Sequence, residues 1–323
     1  MNKINLANLP TRIVKLEKTS KRYNKNIYLK RDDFTGTEVS GNKVRKLEYA
    51  MAEALNNECD AIITTGALQS NHCRATAAVC AELGLECYLI LMGEPNEIEG
   101  NLFLDYFLGA NIYFENDVDS VSNKMETLFK DLKDKEKKPY IIPMGASNHI
   151  GTYGYINAYE EILKQEKDMN IEFDLISTPV GSGGTYGGLW YGDYINNKNK
   201  RILGFAVSET KEYFKETIVN ILRELDKDIE SFDTIEINDL YVGQGYGIAT
   251  DDELEFYLEI GKNEGVIFDP CYTGKGFRGL LREIEKGNIK EENILFIHTG
   301  GLMGWTKEYI DRAYEIGKIK SRV

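Results

Sequence analysis

The stretch from Asp60 to Gly93, DAIITTGALQSNHCRATAAVCAELGLECYLILMG, decides how the chain folds. An apolar run (DAIITTG) passes through a polar turn into a longer amphipathic run (HCRATAAVCAELG), and a second apolar run (ECYLILMG) follows. Short apolar runs of this length read as strands, and the longer run spaced at the helical period reads as the helix between them. A strand, helix, strand unit predicts neighbouring parallel strands with the helix laid over one face.

The same alternation extends in both directions. Upstream lie a strand at NIYLKRDD and a helix at NKVRKLEYAMAEALNN; downstream come helix NLFLDYFLGA, strand NIYFE, a charged helix around SNKMETLFKDLKDKEKK and strand YIIPMG. A second series follows: helix GYINAYEEILKQ, strand FDLISTPVG, helix GGLWYGDYI, strand RILGFAVS, helices over 210–225 and 251–263, and a late strand NILFIHTGG. The expected class is α/β, with two open, mostly parallel sheets covered by helices. The 323 residues exceed what one core usually serves, which predicts two packed units.

Composition excludes several classes of function. With 39 basic against 52 acidic residues the formal charge is −13, which repels a phosphate backbone and an anionic membrane surface, so neither nucleic acid nor membrane is an expected partner. No apolar run reaches the length of a membrane span and the amino terminus has no signal-peptide core, so the chain reads as cytoplasmic. The five cysteines form no C-x-x-C pair, and the odd count argues against a disulfide framework. His72, His149 and His298 form no ligand cluster and no carboxylate group has calcium-loop spacing, so no metal is expected.

In a doubly wound sheet the ligand sits beyond the carboxyl ends of the strands. Five loops there are rich in Gly, Ser, Thr or Asn: TTGALQSNH, PMGASNHIG, PVGSGGTYGG, HTGG and the SGNK turn. Gly181, Gly183 and Gly184 let the backbone approach an anion at a helix amino end, with hydroxyls from Ser182 and Thr185 beside it. Tyr186 stands where a dinucleotide fingerprint needs its third glycine, and there is no G-K-[ST], so a dinucleotide or ATP is disfavoured. A tight turn with no ligand is the other reading. Ser70, Asn71 and His72 stand at a second helix amino end, suited to a carboxylate, although Ser70 or Asn71 could serve only as a cap. A nucleophilic serine of the G-x-S-x-G kind is absent.

That leaves Lys43 and Lys46, three residues apart after the SGN turn. A lysine amine attacks carbonyls only when unprotonated, and burial together with a helix amino end lowers its pKa; Lys43 has that position. A lysine and a phosphate cradle are the minimal equipment for holding pyridoxal phosphate.

The segments SGNKVRKLEY, GALQSNHCRATAAV, PVGSGGTYGGL, GYGIATDDELE, DPCYTGKGFRGL and LFIHTGG resemble, in order and spacing, the D-cysteine desulfhydrase and 1-aminocyclopropane-1-carboxylate deaminase family over nearly the whole chain. That family is tryptophan-synthase-β-like (fold type II pyridoxal phosphate enzymes) and usually homodimeric. The resemblance implies a large cofactor domain from 1–47 and 155–323, and a small mobile domain from 48–154. It places the Schiff-base lysine at Lys43 and leaves Lys46 as a helix residue, in an ion pair or facing solvent. Asn71 is implied to contact the ring oxygen, Ser70 to lie beside the substrate α-carbon, and Gly181 to Thr185 to hold the phosphate. Thr299 is implied to face the pyridine nitrogen with a neutral hydroxyl, and Tyr246 and Tyr272 to line the substrate side; packing is the ordinary role for most of the 20 tyrosines.

The family's deaminases resemble one another in having glutamate after the second tyrosine, and the desulfhydrases threonine. Here Thr273 stands there, which implies β-elimination on a small amino acid, D-cysteine to pyruvate, ammonia and hydrogen sulfide. The alternatives are deamination of 1-aminocyclopropane-1-carboxylate to 2-oxobutanoate and ammonia, elimination on L-cysteine or another β-substituted alanine, and a catalytically idle ligand-binding protein. Three departures from the family pattern bear on the substrate: Ser40 for a glycine, Cys271 for an aliphatic residue, and Leu302 with Met303 after the double glycine, expected to form an apolar wall near the cofactor.

Overall fold

Ile294, Leu295, Phe296 and Ile297 are wholly buried in succession, as are Ala61, Ile62 and Ile63. Strands apolar on both faces must be covered on both, and helices supply the cover. The computed structural model describes residues 1–321. Strand β1 (Ile13–Lys15), helix α1 (Glu17–Tyr23) and strand β2 (Asn26–Arg31) lead to helix α2 (Asn42–Asn56). Next come β3 (Ala61–Ala67), α3 (Asn71–Leu83), β4 (Glu86–Met92), α4 (Gly100–Phe107), β5 (Asn111–Glu115), α5 (Val118–Asp134), β6 (Pro139–Ile141) and α6 (His149–Met169). The last part runs β7 (Leu175–Val180), α7 (Gly184–Asn196), β8 (Arg201–Ala206), α8 (Lys211–Leu225), β9 (Glu236–Asn238), α9 (Asp251–Glu264), α10 (Thr273–Glu285), β10 (Asn293–His298) and α11 (Lys307–Ser321).

Two sheets result, one of six strands in the order β1-β2-β10-β7-β8-β9 and one of four in the order β5-β4-β3-β6. All pairings are parallel except β1 with β2. The opening stretch is the β3-α3-β4 crossover, with Ala61 opposite Glu86 through to Ala67 opposite Met92. The four-stranded sheet lies wholly within residues 61–141, and cut points near 47 and 154 would fall inside α2 and α6.

Those two helices are closely joined: a Cβ on Gly154 of α6 would lie 2.4 Å from the Arg45 carbonyl oxygen of α2. Between them Arg45 donates to both oxygens of the buried Asp32, at 2.9 and 2.8 Å, while Tyr155 donates to Asp32 Oδ2 at 2.6 Å. Burial alone would push the Asp32 carboxyl up, and the Arg45 guanidinium holds it below its ordinary value. This anchor fixes the helix that carries Lys43 and Lys46.

Helix α10 is not evident from the sequence pattern, because Gly274, Gly276 and Gly279 interrupt it. Packing requires them: a Cβ on Gly274 would lie 2.5 Å from the Tyr257 ring, and one on Gly279 would lie 2.7 Å from the Phe205 ring on β8. Tertiary closeness outweighs a propensity cost of about 1 kcal/mol per glycine. The three-residue strands β1 and β9 and the helices α1 and α11 are also absent from that reading.

On α4, Asp105 is fully buried and neither carboxylate oxygen has a hydrogen-bond partner among the described residues. Burial pushes its carboxyl up to about 8 against the attraction of Arg74, from an ordinary value of 3.8. The folded chain therefore binds this proton more tightly than the unfolded chain, so its stabilising contribution is complete below the ordinary value and is lost as pH rises to about 8. Asp105→Asn is expected to raise the thermal midpoint by roughly 3–5 °C at pH 9 and by much less at pH 5, measured by calorimetry across pH. An equal gain at both pH values would contradict the assignment.

Candidate active site

The Lys43 turn is built at Gly41, which caps α2 with φ of 86°. That left-handed conformation suits glycine, and a Cβ there would lie 2.7 Å from the Thr299 carbonyl oxygen. Ser40 has no positive φ, so its side chain costs the turn nothing, which accounts for serine in place of glycine. Asn42 ties the turn to two other loops: its main-chain N–H donates to Thr299 O at 3.0 Å and its Nδ2 to Thr185 Oγ1 at 2.9 Å.

Lys43 enters the cavity from the first turn of α2 and its Nζ donates to Ser182 Oγ at 3.4 Å. Burial lowers its amine to about 8, from an ordinary 10.5. At neutral pH about a tenth of such amines are unprotonated, against fewer than about one in a thousand for a free lysine.

Lys46 is where the structure corrects the sequence reading. Three residues on, it shares a helix face with Lys43, does not face solvent, and makes no ion pair among the described residues. Its fully buried Nζ donates to Gly145 O at 3.0 Å and to Ser147 Oγ at 2.8 Å. Burial, and then the Lys43 charge, hold it well below its ordinary value. A buried amine with no carboxylate partner among the described residues carries its charge when an anion is supplied from elsewhere.

The anion's place is evident from the neighbouring loop. Gly183 caps α7 with φ of 82°, and a Cβ on Gly184 would lie 2.8 Å from Lys46 Nζ and 2.9 Å from Ser147 Oγ. The N–H groups of the first turn of α7, the hydroxyls of Ser147, Ser182 and Thr185, and Lys46 Nζ thus converge. This donor set fits a phosphate dianion. Ser147 is not among the residues the sequence points to, though the loop PMGASNHIG that carries it is, and Lys46 is expected there only as a helix residue.

At the opposite wall Ser70 caps α3 and its Oγ accepts from Cys73 N at 3.2 Å. The cap therefore exists, and the N–H groups of Asn71 and His72 precede the first intrahelical bond, free for a carboxylate. The His72 ring turns toward β3. Thr64 Oγ1 uses its proton on Ile142 O at 2.7 Å, so His72 Nε2 is the donor in their 2.9 Å contact. Burial holds this imidazole well below its ordinary value, hence neutral, and only its main chain suits an anion.

Tyr246 and Tyr272 meet hydroxyl to hydroxyl, ring centroids 5.7 Å apart and nearly perpendicular. Burial holds both phenols well above their ordinary value, so both keep their protons and one donates to the other. Cys271 beside them is pushed up to about 12 by burial and stays a thiol. Thr273 does not reach the cavity: wholly buried, its hydroxyl donates to Asp269 Oδ1 at 2.5 Å and accepts from Asp269 N at 2.9 Å. Leu302 is more than half exposed, and neither it nor Met303 lines the cavity, so the expected apolar wall is not there. Their turn packs on α4 instead, with Met303 O 2.9 Å from where a Gly100 Cβ would be.

Lys43, Ser70, Asn71, His72, Gly181, Ser182, Gly183, Thr185, Tyr246, Tyr272 and Thr299 all line one cavity of about 270 Å³. Gly184 lies behind its wall, against Lys46. The cavity opens where β3, β7 and β10 end, as the topology requires.

A sequence profile described as pyridoxal-phosphate dependent enzyme matches residues 4–300. The chain is 41% identical over 313 residues to the mitochondrial bifunctional D-cysteine desulfhydrase/1-aminocyclopropane-1-carboxylate deaminase of Arabidopsis thaliana, covering 93% of this chain and 78% of that one. A crystal structure described as an ACC deaminase homologue superposes with a TM-score of 0.90 at 37% identity, covering 98% of this chain and 96% of the other. The processed form of threonine deaminase isoform 2 from Solanum lycopersicum shares the fold, with a TM-score of 0.65 at 17% identity over 96% of this chain and 83% of that one.

Proposed function

Because the chain belongs to the pyridoxal-phosphate dependent enzymes, in the D-cysteine desulfhydrase and 1-aminocyclopropane-1-carboxylate deaminase family, we propose that it eliminates the β-substituent of a small amino acid, D-cysteine foremost, yielding pyruvate, ammonia and hydrogen sulfide. The observation that carries this reading is the chemistry of the cavity wall. It presents an amine and hydroxyls, and the only carboxylate among the described residues lining it, Glu209, is an exposed one beyond β8.

When bound, pyridoxal phosphate supplies an electron sink for charge developing at the substrate α-carbon. Lys43 would hold it through Nζ, the α7 amino end with Lys46, Ser147, Ser182 and Thr185 would hold its phosphate, Asn71 its ring oxygen, and Thr299 would offer the ring nitrogen a neutral hydroxyl. The N–H groups at the Ser70 to His72 helix end would bind the substrate carboxylate. Lys43 Nζ, freed and with a lowered pKa, takes the proton from the α-carbon. Tyr246 and Tyr272 are held protonated, so they do not compete as bases; they hydrogen-bond the departing sulfur. Loss of thiolate needs no further acid or base, whereas opening a cyclopropane needs assistance at a carbon without a leaving group. The Thr273 hydroxyl acts only by not being a carboxylate, since it is occupied by Asp269.

The proposal includes residues 48–154 as a small mobile domain, and a cytoplasmic homodimer. Phe103, Tyr106 and Phe107, exposed along α4, favour a partner surface.

The second reading is the cyclopropane deaminase, favoured by the double name of the Arabidopsis relative. Keto-acid release from D-cysteine, L-cysteine and 1-aminocyclopropane-1-carboxylate, with sulfide detected in parallel, separates the two. D-Cysteine is expected to exceed the cyclopropane substrate by at least about tenfold in kcat/KM. Release of 2-oxobutanoate as the dominant product would reverse the order.

A further inference from the structure

The side-chain amide of Asn71 is gripped from behind by a buried relay. Asn101, wholly buried in the first turn of α4, donates through Nδ2 to Asn71 Oδ1 and to the Gln69 carbonyl oxygen, each at 3.0 Å. Its Oδ1 accepts from Arg74 Nε at 3.0 Å, and its main-chain N–H donates to Gln69 Oε1 at 2.9 Å. Arg74 is 2% exposed, and its remaining nitrogens donate to the carbonyl oxygens of Glu38 and, at 3.5 Å, of Ser40 in the turn that precedes Lys43.

The two ends of an amide are similar in shape, so its orientation is decided by its partners. Here the partners leave one solution. A guanidinium can only donate, so Asn101 must present its oxygen to Arg74. A main-chain carbonyl can only accept, so the Asn101 NH2 must face Gln69 and Asn71. Asn71 must meet that NH2 with its own oxygen, which leaves its NH2 as the group it offers to the cavity it lines. Turning Asn71 over would set its NH2 against that of the wholly buried Asn101, leaving a donor without an acceptor.

We propose that Arg74 and Asn101 are positioning residues that commit Asn71 to donating a hydrogen bond to the ring oxygen of pyridoxal phosphate, while the same guanidinium holds the Lys43 turn in step with it. The proposal rests on the cofactor reading above. It links α4 to both the ring contact and the lysine, so a change in α4 is felt at two places in the site.

The test uses the full chain, resolved of cofactor and reloaded either with pyridoxal phosphate or with its 3-deoxy analogue, which lacks the ring oxygen. Asn101→Asp keeps the Arg74 contact but cannot donate to Asn71, whose amide is then free to turn its oxygen to the ring. The Kd for pyridoxal phosphate is expected to rise about tenfold in Asn101→Asp and in Asn71→Ala, while the Kd for the 3-deoxy analogue stays within about twofold of wild type. Asn71→Ala combined with Asn101→Asp is expected to be no worse than Asn71→Ala alone.

A loosening of structure would weaken both ligands equally, and that result overturns the proposal. If Asn71→Ala discriminates between the ligands and Asn101→Asp does not, the relay fails while the ring contact stands. If Asn71→Ala does not discriminate either, the ring contact itself fails and the proposal with it. Wild-type protein that takes up neither form overturns the cofactor reading and this proposal together. Should Asn101→Asp not fold, Asn101→Ala carries the same comparison: a loss confined to pyridoxal phosphate supports the relay, and no loss or an equal loss overturns it.

Discussion

Lys43→Ala is expected to lower keto-acid release by about 10³-fold or more and to abolish the visible absorbance of the loaded protein, because it removes both the point of covalent attachment and the base at the α-carbon. The fold should survive. Lys43 makes one hydrogen bond, 3.4 Å to Ser182, and its amine is already lowered to about 8 by burial, so alanine relieves a desolvated group rather than breaking an ion pair. The thermal midpoint is therefore expected to stay level or rise, and the circular dichroism spectrum to be unchanged. Absorbance that persists in Lys43→Ala and disappears in Lys46→Ala would exchange the roles of the two lysines.

Lys46→Met is expected to raise the Kd for pyridoxal phosphate about 100-fold, or about 2.7 kcal/mol, while covalent attachment at saturating cofactor is retained. Methionine fills most of the lysine's volume, so the loss reports the charge. Among the described residues Lys46 Nζ has Gly145 O and Ser147 Oγ as partners and no carboxylate, and a Cβ on Gly184 would lie 2.8 Å from it. The amine is thus placed against the α7 amino end, where an anion would restore its charge and complete the site. Equilibrium binding to the resolved protein, with inorganic phosphate as competitor, measures it. An unchanged Kd would return Lys46 to a packing role.

The two predictions separate two requirements on neighbouring residues of one helix face. Lys43 needs a low pKa and an open path to substrate, and it lines the cavity. Lys46 needs proximity to the phosphate loop, and it is sealed beneath Gly184. Their spacing of three residues places both on the same side of α2, while Arg45 between them points the other way, into the Asp32 anchor.

By itself the sequence determined the class of fold, because the alternation of short apolar and longer amphipathic runs is a local property that parallel pairing requires. It also determined which loops meet, since glycines and small hydroxyl residues at strand ends mark the places where backbone must approach a ligand; the Gly41 turn, the Ser70 cap and the Gly183 cap are where those residues predicted. That Lys43 enters the cavity was legible for the same reason, since it is a lysine at a helix amino end after a glycine turn.

Tertiary structure alone decided the rest. α10 carries glycines against its own propensity because Tyr257 and Phe205 lie where side chains at Gly274 and Gly279 would be. Leu302 and Met303 leave the cavity wall because α4 lies beside their turn, whereas the Thr273 hydroxyl is taken locally, by Asp269 four residues earlier. Lys46 is buried, and Arg74 and Asn101 reach Asn71, through contacts between segments 27 to 101 residues apart. Burial and hydrogen-bond polarity depend on what packs across from a residue, and no periodicity along one segment encodes that.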